Sequence, residues 1–164
     1  MFGQTNIRPQ LGSIKLPNYF SVTADMTSAT WNTVAKHEIA TVTGSVHMVV
    51  IPEITETLTD VADGASIQFG SEINTGGLIG STQCAGAGGN TLQAGEIWVD
   101  TTPNDSVATR TQINALDFVV TNGYDIGYEI TGAALTNGTI VFHVYWEEFG
   151  TPGGTVTAGA GGVL

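Results

Sequence analysis

Positive charge is nearly missing from this sequence. Its 164 residues include four cations, Arg8, Lys15, Lys36 and Arg110, against fifteen Asp and Glu, for a formal net charge of −11. So few cations cannot neutralise a run of phosphates, and no nucleic acid partner is expected. The same shortage argues against an anionic membrane surface. Charge of either sign is sparse, at 12% of residues, so polarity rests on Gly, Thr, Ser and Asn. A surface of that kind suits a chain covered by neighbours. Cysteine is reduced to Cys84. One cysteine excludes an intrachain disulfide and a cysteine metal cluster, and in its glycine-rich surroundings Cys84 reads as a small filler. No apolar run approaches the length of a membrane span. The opening MFGQTNIRPQLG lacks a basic region followed by an apolar stretch, so it is not expected to be a secretory signal. Helical periodicity is almost absent.

What is present suffices for one domain with a real core. The hydrophobic fraction is 41%, rich in β-branched residues, which is too apolar for a disordered chain. The clearest strand runs from Thr139 to Glu147, with Ile140, Phe142, Val144 and Trp146 on one face and Val141, His143 and Tyr145 on the other. Tyr124, Ile126, Tyr128 and Ile130 alternate with polar residues in the same period of two. Further strands are expected at Val34 to Thr43, Val46 to Ile51, Ala65 to Phe69 and Glu96 to Asp100. Glu53 to Thr59 continues a strand beyond a bulge at Pro52, because proline cannot donate to a ladder. Gln112 to Val120 has a β-branched end that favours a strand. Asn122-Gly123 and Asn137-Gly138 are turn pairs able to take positive φ, Asp63-Gly64 marks another turn, and Gly44 suggests a hairpin. Gly76 to Gly95 reads as a long glycine-rich loop. Roughly eight short strands make an all-β, two-sheet β-sandwich. A jelly roll is the preferred topology and an immunoglobulin-like sandwich the second.

Both ends differ from this body, about residues 31 to 149. Residues 1 to 30 place Phe2, Ile7, Leu11, Ile14, Leu16, Tyr19 and Phe20 among spaced glycines and prolines, without a sustained period. They read as an extended arm able to reach about 100 Å. From Gly150 the tail runs GTPGGTVTAGAGGVL; glycine at that density carries a large ordering entropy. Such ends need a surface to hold them, and a neighbouring subunit is preferred over the chain's own body.

The chemistry offered is thin. His37 and His47 would approach each other across a hairpin at Gly44, with His143 on another strand, so a three-histidine metal site is conceivable. Without a fixed-spacing motif, the plainer reading as sheet residues outweighs it, and no metal or cofactor is expected. Glu53 and Glu56, Asp60 and Asp63, Asp100 and Asp105, and Glu147 and Glu148 supply carboxylates. Glycosidases need two such groups at a defined separation across a cleft, whereas adjacent Glu147 and Glu148 face opposite ways on a strand. Solvated edges and loops are the better reading, with calcium in the Asp60 and Asp100 loops a lesser one. There is no GxSxG elbow, and the GAGGN run from Gly86 lacks the ending of a phosphate loop. Catalysis is therefore not expected. Trp31, Trp98 and Trp146, with four tyrosines, could stack on sugars, although Trp146 and Trp98 read better as core and Trp31 as the anchor of the arm.

Two stretches, HEIATVTGSVHMVVIPEITETLTDVADGASIQFG and DIGYEITGAALTNGTIVFHVYWEEF, resemble small β-rich virion structural proteins of tailed bacteriophages over about residues 34 to 149. The resemblance implies a capsid decoration, or cement, protein on the outer capsid surface. Its partners would be the major capsid protein and, by analogy, its own copies as a trimer. The partner-binding residues would be Phe2, Ile7, Leu11, Ile14, Leu16, Tyr19, Phe20 and Trp31, with Val163 and Leu164 at the tail. A receptor- or carbohydrate-binding module of the virion, or another capsid or tail subunit, is the alternative.

Overall fold

A computed structural model of the chain describes residues 16–60, 64–84, 92–102, 116–150, 153–162 and 164. The strands are β1 (Asn18–Asp25), β2 (Lys36–Thr43), β3 (Val46–Asp60), β4 (Ser66–Ser71), β5 (Asn74–Gln83), β6 (Asp117–Val120), β7 (Ile126–Thr131), β8 (Leu135–Glu148) and β9 (Thr155–Ala158). They build two antiparallel sheets, one ordered β1-β8-β3-β6 and the other β5-β4-β7-β2-β9. The fold is thus an all-β sandwich. Only β4 and β5 follow one another within a sheet; every other pair of successive strands crosses from one sheet to the other. With β1, β8, β3 and β6 facing β2, β7, β4 and β5, the wiring is jelly-roll-like.

Alternation explains which side of each strand is buried. Ile140, Phe142 and Val144 of β8, Val46, Met48, Val50 and Ile54 of β3, and Ile126, Tyr128 and Ile130 of β7 fill the space between the sheets. Aromatic rings form its centre: Phe142 stacks on Phe69 and on Tyr128, each at a centroid distance of 5.7 Å. Trp98 is fully buried and donates from Nε1 to Thr82 Oγ1 at 3.1 Å. The Tyr128 hydroxyl donates to the Trp31 carbonyl at 2.6 Å, and burial pushes its pKa well above the ordinary tyrosine value. Burial likewise pushes the Cys84 thiol up to about 12, with the Asp60 carboxylate adding to it. Cys84 is the buried filler its surroundings suggest.

The turn expected at Asn122-Gly123 forms, with φ of 65° and 69°, and joins β6 to β7 across the two sheets. Other turn expectations are corrected. Gly44, at φ 70°, is likewise a corner between sheets and not a hairpin. Asn137-Gly138 is no turn: it lies inside β8, at a register shift against β3. Pro52 pairs in register with Phe142, and the shifts come later, between Ile54 and Asp60. The backbone groups of Val50 and Ile54 point away from β8, to Leu116 and Glu96. The missing N–H of Pro52 points the same way, past the last described pair of β3 with β6, Val49 and Asp117. Glu96 to Asp100 makes only one bridge, Ile97 to Glu53.

The ends are also corrected, as far as they are described. Asn18–Asp25 is not a free arm: it pairs along its whole length with β8. Thr155–Ala158 pairs with β2, and beyond it Gly159, Gly161 and Leu164 donate to the carbonyls of Ile39, Glu38 and Lys36. Glycine is needed at Gly161, where φ is +76° and an added Cβ would lie 2.7 Å from the Trp31 ring. The first part of the expected Gly76–Gly95 loop is strand β5.

Candidate functional site

The outer face of the β1-β8-β3-β6 sheet carries the two histidines that are not buried, His47 and His143. Register places its side chains in rows. Tyr19, Tyr145, Val49 and Asp117 share one row, Ser21, His143 and Ile51 the next, and Glu147, His47 and Val119 lie on the other side of the first. They point outward because their neighbours Phe20, Val144, Trp146, Met48 and Phe118 point into the sandwich, the consequence of a period of two.

Two histidines join these rows sideways. The Tyr19 hydroxyl lies 3.0 Å from His143 Nδ1, and His143 Nε2 lies 2.9 Å from Glu53 Oε2, so one chain of contacts crosses β1, β8 and β3. His47 Nε2 is 2.5 Å from Asp117 Oδ1 and His47 Nδ1 is 3.1 Å from Glu147 Oε1, joining β6, β3 and β8. Burial works against a charged His47, but hydrogen bonds and charge from Asp117 and Glu147 outweigh it, and its pKa is raised. Tyr19 stands beside Tyr145 with ring centroids 4.8 Å apart and is 54% exposed. Burial and the neighbouring Tyr19 raise the Tyr145 pKa.

The three histidines do not converge. His37 is buried, its ring held between the carbonyls of Thr30, Thr33 and Gly161. His143 pairs with Ile51, four residues from His47 on β3, which is about 13 Å along a strand. Among the described residues no group of three or more His, Cys, Asp or Glu is placed to hold a metal ion. The carboxylates serve their surroundings. Glu56 accepts from Thr139, Asp60 accepts from Gly64 N and Ala65 N, Asp100 accepts from Thr102 N, and Glu148 accepts from Gly153 N. Asp63 and Asp105 lie outside the described residues.

Of the expected partner-binding residues, Phe2, Ile7, Leu11, Ile14 and Val163 lie outside the described residues. Leu16 is half-buried. Phe20 and Trp31 pack on the core of their own chain, and Leu164 bonds to Lys36. Trp31 also lies against Gly161 of the tail. Among the described members of the set Tyr19 is the exposed one. Trp98 is unavailable to a sugar because it is buried. Asp117 and Glu53 were not singled out as partners of histidines. Alternation did put His143 and Tyr145 on one face, but the cross-strand register that completes the site depends on β1 and β6, whose sequences carry weak patterns.

No family model, curated protein or solved structure matches the chain. No helix among the described residues is long and apolar enough to cross a membrane.

Proposed function

We propose that the chain is a non-enzymatic structural protein of a bacteriophage virion, a decoration protein that binds the shell of major capsid protein from outside. The observation that carries this reading is the outer face of the four-stranded sheet. Its histidines, carboxylates and tyrosines are tied to one another along a sheet surface, an arrangement suited to docking on another broad surface. The sequence resemblance supplies the identity of that surface. Repetition over a shell turns many weak contacts into firm attachment, and a trimer would multiply them again. An acidic chain placed outside the shell is kept away from the genome.

The test is co-sedimentation with assembled shells stripped of this protein. Tyr19→Ser combined with Val119→Asp changes two exposed side chains of the face, Tyr19 and Val119 being 54% and 43% exposed. This variant should remain folded and lose at least about tenfold in shell occupancy, roughly 1.4 kcal/mol. Unchanged occupancy would remove the sheet face from the account.

The tyrosine pair favours one second reading. Tyr19 beside Tyr145, with His143 and Glu53 at its edge, offers a stacking surface and polar groups for a sugar, as in a glycan-binding module of the virion. Binding on a glycan array that is lost in Tyr19→Ala, together with no binding to shells, would replace the first reading by this one.

A further inference from the structure

A second feature lies at the edge of the sandwich, where the His47 row ends at Val119. A cleft of about 260 Å³ opens between the β4-β5 hairpin and β6, lined by Leu78, Phe118, Val119, Tyr124 and Ile126, with Asn74 among its polar groups. Among the described residues neither a carboxylate nor a histidine lines it. Its volume is below the roughly 300–1,000 Å³ of small-molecule sites, and suits one or two apolar side chains. Apolar surface continues outside it: Ile73, between the lining residues Ser71 and Asn74, is 67% exposed.

We propose that this cleft seats an apolar side chain of residues 1–15 of the same chain. Register locates the start of β1 relative to the cleft. Asn18 pairs with Trp146, Trp146 with Met48, and Met48 with Phe118, a lining residue. Asn18, two residues into the described chain, therefore stands on the same crosswise row as the cleft lining, three strand spacings or about 14 Å away. Fifteen residues span up to about 50 Å when extended, and about 21 Å on average as a flexible chain. The cleft is within that range, and so short a tether gives an effective concentration in the millimolar range. Composition fits as well. Phe2, Ile7, Leu11 and Ile14 supply the apolar side chains, and the segment holds two of the chain's four cations, Arg8 and Lys15. The inference does not depend on shell binding.

Paramagnetic relaxation on the full-length protein tests it. Gln4→Cys gives an attachment point for a nitroxide, while buried Cys84, with its raised thiol pKa, stays unlabelled. Amides of Leu78, Phe118, Val119 and Tyr124 should broaden more than fivefold beyond those of Thr23 and Ser66. Adding Leu11→Asn and Ile14→Asn should abolish the difference without moving the other resonances. A mixture of labelled protein with unlabelled ¹⁵N protein separates contacts within a molecule from those between molecules. No broadening at the cleft, or broadening that persists in the mixture, would overturn the proposal.

Discussion

His47 sits between two carboxylates, and opposing effects act on it. Burial disfavours its charge, while Asp117 and Glu147 favour it and prevail. The raised folded-state pKa fixes the sign of the linkage. His47 adds stability below its unfolded pKa, and that contribution is lost as pH rises through the folded value. An NMR titration of the His47 ring should give a midpoint above the ordinary histidine value of about 6.5, and Asp117→Asn should bring it down. A midpoint at or below that value in the native protein would contradict the geometry of the row. Gly138 makes the corresponding case for the backbone. Its φ is +113°, and an added Cβ would lie 2.6 Å from Leu58 Cδ2 and 2.8 Å from its Cα. Gly138→Ala should cost at least about 1–3 kcal/mol in denaturant unfolding, because both the conformation and the space exclude a side chain.

Strands were legible in proportion to the strength of their alternation. β8 and β7 stand out in the sequence because apolar residues recur at every second position. β1 does not, since NYFSVTAD mixes exposed Tyr19 with half-buried Phe20 and then small residues; an edge strand covered on one face needs few large groups. β9 is hidden by its glycines, and its order comes from backbone bonds to β2. The turn signal at Asn122-Gly123 holds, whereas Gly44 misleads as to connectivity: positive φ serves a corner between sheets as well as a hairpin. The candidate site was half legible for the same reason. His143, Tyr145 and Glu147 share a face by period alone, but their partners come from strands whose register no local pattern dictates. The tail provides a test at this scale. Removing residues 159–164 takes away the Gly162 carbonyl that accepts from Glu38 N and the Gly161 contact with Trp31. Amide exchange at Glu38 should then approach the unprotected rate, while Val50 and Ile54 in β3 remain protected. Equal loss of protection in both strands would mean that the tail belongs to the cooperative core.

Taken whole, the molecule is a sandwich with an acidic surface and little positive charge. Among the described residues Lys36 is the one Lys or Arg, and it lies on the five-stranded sheet. A partner for the other face must therefore bring cations or apolar surface of its own. Attachment through Glu53, Asp117 and Glu147 should weaken as salt rises from 0.05 to 0.5 M, since screening shortens the range of exposed charges. Salt-independent attachment would point instead to an apolar contact through Tyr19, Tyr145 and Val119. The most direct measurement is electron cryomicroscopy of the particle that carries this protein. The account predicts a repeating density on the outside of the shell, with the β1-β8-β3-β6 face against the major capsid protein and Tyr19 covered. A shell without that density, or sandwiches attached elsewhere with this face bare to solvent, would contradict it.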